Sequence, residues 1–130
     1  MKVKTAVLVS GGGTNLQALI DYEAEHKDEC PYEIVLVISD HKDAFALERA
    51  AKAGIKTTVR SPYAVMGKEV AQASTRDEKR TAVSNAMLKD CKESGAQVIV
   101  EAGCLTVLAG PILTEYENKL VASFKRLSSA

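Results

Sequence analysis

At 130 residues the chain suits one domain, residues 1–130, and its 46% apolar and 26% charged content are those of an ordinary soluble globular protein rather than a fibrous or low-complexity one. Lys plus Arg equals Asp plus Glu at 17 each, so no global basic field directs the chain to nucleic acid or to an anionic membrane. No apolar run approaches bilayer-spanning length, and Met1-Lys2-Val3-Lys4 leads into a short strand-like run without the apolar core and cleavage site of a signal peptide. Cys30, Cys91 and Cys104 are far apart and lack C-x-x-C spacing, which suggests reduced thiols and a cytoplasmic location; with His26 and His41 they match no metal-ligand spacing.

Strand and helix signals alternate along the chain. The apolar run Thr5 to Val9 reads as a buried strand that breaks into Ser10-Gly11-Gly12-Gly13. A helix is predicted from Thr14 to about His26, with Leu16, Leu19 and Ile20 on its apolar face and with Thr14 and Gln17 in a capping-box spacing. Tyr32 to Ser39 is a β-branched run typical of a strand buried on both faces. Asp43 is placed to cap a helix that holds Phe45, Leu47, Ala50 and Ala51 and stops at Ala53-Gly54. Ile55 to Val59 gives a shorter strand, and Ser61 to about Ser74 reads as an irregular connection.

Thr75-Arg76-Asp77-Glu78 is a second capping box, opening a helix with Ala82, Val83, Ala86, Met87 and Cys91 at helical spacing and ending at Ser94-Gly95. Gln97 to Val100 is the fourth strand. Pro111 opens a short helix through Tyr116, and Lys119 to about Phe124 is a fifth strand. Such alternation predicts a doubly wound α/β fold with a mostly parallel sheet, its ligand loops gathered at the C-terminal ends of the strands.

The glycine turn carries the chemistry. A strand, a glycine turn and a helix start present backbone N–H groups and a positive helix end to an anion, here a phosphate. Gly13, Thr14 and Asn15 are the candidate binding residues, and a side chain at Gly13 is expected to obstruct the anion's approach even where the overall fold survives. A dinucleotide fingerprint fits less well, because Gly11 and Gly13 are followed by Leu16 where the third glycine belongs. Asp40 stands where that fingerprint places its ribose-binding acid, but an aspartate just after a strand is also ordinary turn chemistry, the reading favoured here.

Val9-Ser10-Gly11-Gly12-Gly13-Thr14-Asn15-Leu16-Gln17-Ala18, Asp43 to Ala50 (DAFALERA) and Ala102-Gly103-Cys104-Leu105-Thr106-Val107-Leu108 together resemble the phosphoribosylglycinamide formyltransferases, also called glycinamide ribonucleotide transformylases, over about residues 3 to 121. The resemblance implies a Rossmann-like domain and, for the family, formyl transfer from 10-formyltetrahydrofolate to the amine of glycinamide ribonucleotide in purine biosynthesis. It places the substrate phosphate at Gly13, Thr14 and Asn15. Arg80 matches a basic position near the folate, and Leu105, Thr106, Val107 and Leu108 match the segment lining the pterin pocket, with Thr106 where some relatives carry arginine.

The family's Asn-x-His-Pro motif should begin at residue 122, but the chain reads Ala122-Ser123-Phe124-Lys125. The resemblance therefore implies that both catalytic positions, Ala122 and Phe124, lack the groups that stabilise and protonate the tetrahedral intermediate. It also implies that the family's distal C-terminal part, with its catalytic aspartate, is missing. An altered, truncated or frame-shifted end and an evolved noncatalytic protein both account for this pattern. The expectation is a chain that retains phosphate binding, is catalytically impaired or inactive alone, and exposes a strand or apolar patch able to recruit a second copy. The alternative is a noncatalytic phosphate-ligand binding or regulatory module.

Overall fold

The computed structural model of the chain describes residues 2–121. Five strands form one all-parallel sheet: β1 (Val3–Val9), β2 (Tyr32–Ser39), β3 (Thr57–Val59), β4 (Val98–Glu101) and β5 (Leu120–Val121), in the order β3-β2-β1-β4-β5. The helices are α1 (Thr14–Glu25), α2 (Phe45–Lys52), α3 (Pro62–Met66), α4 (Lys68–Ala73), α5 (Arg76–Ser94) and α6 (Pro111–Glu115). The doubly wound parallel fold expected from the strand and helix alternation is the one observed.

Each sheet face has its own apolar layer. Ala6, Leu8, Leu36, Ile38 and Ile99 pack against Val83, Met87 and Cys91 of α5 and Ile112 of α6. Val7, Val9, Ile34 and Val37 pack against Leu16 of α1 and Ala46 and Ala50 of α2. Strict alternation would put Ile34, Leu36 and Ile38 on one face, but a bulge intervenes: Thr5 pairs with Ile34 and Ala6 with Leu36, leaving Val35 as the extra residue.

Several local expectations are corrected. Thr14 does not cap α1; Gly13 does, in the left-handed region at φ 81°, and Gln17 instead hydrogen-bonds Asp21 and Arg49. Likewise Ala44 rather than Asp43 is the N-cap of α2. Its buried residues are Ala46 and Ala50, with Phe45 exposed, and Ala46 lies directly against Gly13 of the glycine turn. The connection from Ser61 to Ser74 is helical rather than irregular. Ser61 Oγ accepts the Ala64 N–H and Pro62 occupies the first turn of α3, while Gly67, at φ 85°, divides α3 from α4. The capping box on α5 forms as expected: Thr75 Oγ1 accepts the Glu78 N–H at 3.1 Å and Glu78 Oε1 accepts the Thr75 N–H at 2.7 Å. The described part of β5 is Leu120–Val121, and Ala122 and Phe124 lie outside the described residues.

β1 is the point where the winding reverses, with β2 on one side and β4 on the other. In such sheets the crevice beyond the C-terminal ends of the strands at the reversal is where ligands sit. Here that crevice lies between the glycine turn after β1 and the loop after β4.

Candidate functional site

The glycine turn is shaped by its neighbour α2. Gly11 O accepts the Ala46 N–H at 3.1 Å, and Gly12 O accepts Arg49 Nε at 2.7 Å. A β-carbon on Gly13 would stand 2.6 Å from Ala46 Cβ, whereas one on Gly11 or Gly12 would meet nothing within 4 Å. The open side of the turn is therefore at Gly11 and Gly12. Gly13 is required by its positive φ and by α2, so a side chain there strikes the protein's own packing.

The loop following β4 is sewn to the same edge. Ser10 Oγ accepts the Leu105 N–H at 2.6 Å, and the Thr106 hydroxyl donates to Asp40 Oδ2. Farther along, Ser84 Oγ, fully buried on α5, accepts the Ala109 N–H at 3.0 Å. Asp40 is itself buried, and its Oδ1 lies 2.6 Å from His41 Nδ1. Its carboxylate is thus engaged by His41 and by Thr106 of the loop. Burial first, and then the negative charge of Asp40, push the Cys104 thiol up to about 11 from an ordinary value near 9. It is protonated at neutral pH and no nucleophile.

Beside this loop, α5 and Pro62 enclose a cleft of about 250 Å³ lined by Arg76, Lys79, Arg80, Val83, Leu105, Thr106 and Val107. Leu105 and Val107 are 77% and 55% exposed, an unusual display of aliphatic surface beside three cations. Pro62 and Lys79 also line a neighbouring cleft of about 640 Å³ that runs from Asp40 and His41 to Tyr63. A larger groove of about 870 Å³ between α1 and α2 has charges of both signs along its walls, among them Lys2, Glu23, Lys27, Glu33 and Lys56. Gln17 and Arg49 reach its wall, but none of the candidate binding residues Gly13, Thr14, Asn15, Arg80 and Leu105 to Leu108 lines it.

Residues 3–123 match the model of the family described as formyl transferase. The chain belongs to the formyl transferase family. It is 35% identical over 116 residues to the phosphoribosylglycinamide formyltransferase of Saccharomyces cerevisiae, covering 88% of this chain and 54% of that protein. It is 36% identical over 120 residues to the trifunctional purine biosynthetic protein adenosine-3 of Gallus gallus, covering 92% of this chain and 11% of the relative. Among solved structures, glycinamide ribonucleotide transformylase 1 from Symbiobacterium toebii superposes with a TM-score of 0.77 at 31% identity, over 93% of this chain and 50% of that one. The chain thus spans about half the length of the single-function relative and about a tenth of the trifunctional one.

Family membership displaces the dinucleotide alternative, and the fold brings most of the residues named from the sequence to one edge. Gly13, Thr14 and Asn15 sit at the start of α1, joined through Ser10 to Leu105. Arg80, Leu105, Thr106 and Val107 line one cleft. Leu108 does not join them; it is buried in the α5-side core. Sequence reasoning missed Arg76 and Lys79: Arg76 lies four positions before Arg80 and three before Lys79 on α5, a spacing from which the cluster around Arg76 would have been found. It also missed Arg49, whose partner is a backbone carbonyl 37 positions away and leaves no mark in the local pattern.

Proposed function

We propose that the chain binds the phosphate of a phosphorylated small molecule at Gly13, Thr14 and Asn15, and that this molecule is glycinamide ribonucleotide. The observation that carries the reading is the junction at the sheet's reversal point: a glycine turn entering α1, tied by the Ser10–Leu105 hydrogen bond to a cleft of exposed aliphatics and cations. The names of the relatives, phosphoribosylglycinamide formyltransferase among them, supply the substrate class.

A 10-formyltetrahydrofolate fits the cleft's chemistry. Leu105 and Val107 offer apolar surface to a flat ring, and Arg76, Lys79 and Arg80 offer cations to an acidic tail. When bound, the folate supplies the formyl group. The chain's own contribution is to hold the phosphate on backbone N–H groups and to set the amine's distance from the cleft. With Ala122 and Phe124 in the positions of the family's asparagine and histidine, no side chain at either place donates a hydrogen bond or moves a proton. The reading is therefore of a phosphate-ligand and folate binder that does not complete formyl transfer by itself.

Calorimetric titration with glycinamide ribonucleotide, alongside an assay for formylated product, tests both halves. Saturable binding without turnover is expected. Failure to bind the nucleotide refutes the site; turnover near that of a complete family enzyme refutes the loss of catalysis.

A further inference from the structure

The glycine turn is held from behind at two successive peptides. Ala46 N–H donates to Gly11 O, and Arg49 Nε donates to Gly12 O. No cis peptide occurs among the described residues, so the C=O and N–H of each peptide unit point in opposite directions. Anchoring the Gly11 carbonyl on α2 therefore aims the Gly12 N–H away from α2. Anchoring the Gly12 carbonyl on Arg49 does the same for the Gly13 N–H.

Arg49 is itself fixed in place. Its Nη1 donates to Gln17 Oε1 at 3.2 Å, and its guanidinium lies 4.9 Å from the centre of the Phe45 ring. The planar fork reaches the turn and α1 together, which a lysine ammonium cannot do in the same geometry. The Ala46 N–H is already engaged by Gly11, so it offers no substitute donor for Gly12.

We propose that Arg49 is the positioning residue of the anion site: by holding the Gly12 carbonyl against α2 it keeps the Gly13 N–H, and not a carbonyl oxygen, facing the bound phosphate. The inference rests on the reading of the glycine turn as a phosphate site. Flanked by glycines, the Gly12–Gly13 peptide can rotate at little steric cost once Nε is removed. A rotated peptide presents an oxygen to the anion where a donor stood. Arg49 acts through the backbone and needs no contact with the ligand.

The test is a titration of the full chain with inorganic phosphate, followed through the backbone amide resonances of Gly12 and Gly13, for the parent, Arg49→Met and Arg49→Lys. In the parent both amides should move saturably. Arg49→Met keeps the aliphatic stem and should abolish the Gly13 response and weaken phosphate roughly tenfold or more, the factor that losing one hydrogen bond to a charged group carries. Arg49→Lys should leave the Gly13 response largely absent despite its retained charge. A parent that shows no saturable response refutes the phosphate reading itself. A responsive parent with an unaltered Gly13 response in Arg49→Met, or with full recovery in Arg49→Lys, leaves the phosphate site standing and overturns the role of Arg49. Arg49→Lys preserves charge and most of the bulk, so it decides the matter even where Arg49→Met folds poorly.

Discussion

Gly13 and Ala46 leave no room for a β-carbon between them: an added Cβ on Gly13 would lie 2.6 Å from Ala46 Cβ and 2.8 Å from its Cα. The left-handed φ of 81° at Gly13 adds a second penalty of roughly 1–2 kcal/mol for any L side chain. Gly13→Ala should therefore lower stability by about 2 kcal/mol or more in chemical denaturation, because α2 must move. Gly11→Ala and Gly12→Ala, with open space and no positive φ, should each stay within about 1 kcal/mol of the parent. Those two are the informative positions for ligand binding. A Gly13→Ala variant as stable as the parent would show that the turn and α2 are not in this contact.

Arg60 and Asp90 tie the end of β3 to α5 through two hydrogen bonds, Nε to Oδ2 at 2.6 Å and Nη2 to Oδ1 at 2.9 Å. The partners are unequally placed, with the Arg60 side chain 32% exposed and that of Asp90 only 10%. Removing the arginine strands a carboxylate that water barely reaches, while removing the carboxylate frees a guanidinium that can turn outward. Arg60→Met should cost about 2–3 kcal/mol and Asp90→Asn about 1 kcal/mol in urea denaturation. Equal costs would contradict this asymmetry.

Cys104 links the site loop to pH. Its folded-state value near 11 exceeds the ordinary value near 9, so between these the folded chain holds a proton that the unfolded chain has released. The resulting stability is complete below about pH 9 and is lost as pH rises towards 11. Burial of Cys91, pushed up to about 12, extends the loss further. Stability should thus fall above pH 9, and Cys104→Ala should flatten part of that fall. At pH 8 the Cys104 thiol should react with iodoacetamide roughly a hundredfold more slowly than an unperturbed thiol, following its thiolate fraction. Alkylation at the free-thiol rate would contradict the burial argument.

Legibility in the sequence followed the range of the interaction that decides each feature. The capping box at Thr75 and Glu78 and the left-handed stop at Gly95 are set within one helical turn, and both are present. The same spacing at Thr14 and Gln17 misleads, because Gly13 takes the cap and Arg49, far along the chain, takes Gln17. Phe45 reads as an inward residue by periodicity, yet Ala46, against Gly13, and Ala50 are the buried residues of α2. The bulge at Val35 has no local marker, since every residue from Ile34 to Ile38 is β-branched or leucine. At the site, the glycine turn and the Leu105 to Val107 segment are readable in sequence. Their joining through Ser10 and Asp40 depends on which strands become neighbours.

Asp40 and Thr106 form the tie that holds the exposed Leu105 and Val107 in place. The Thr106 hydroxyl donates to Oδ2 of a carboxylate only 6% exposed, next to the Ser10 Oγ that accepts the Leu105 N–H at 2.6 Å. Thr106→Val keeps the side chain's shape and deletes the donor, leaving a buried carboxylate oxygen unpaired at a cost of about 1–3 kcal/mol. Thr106→Ser keeps the hydroxyl and should stay within about 1 kcal/mol of the parent. If the tie holds the loop, amide exchange at Leu105, Thr106 and Val107 should accelerate in Thr106→Val more than exchange in β1 or α5. A double-mutant cycle with Asp40→Asn isolates the pair, and a coupling of at least about 0.5 kcal/mol is expected between contacting groups. Additive effects, or exchange that quickens uniformly across the chain, would show that the loop is held by Ser10 and Ser84 without help from Asp40.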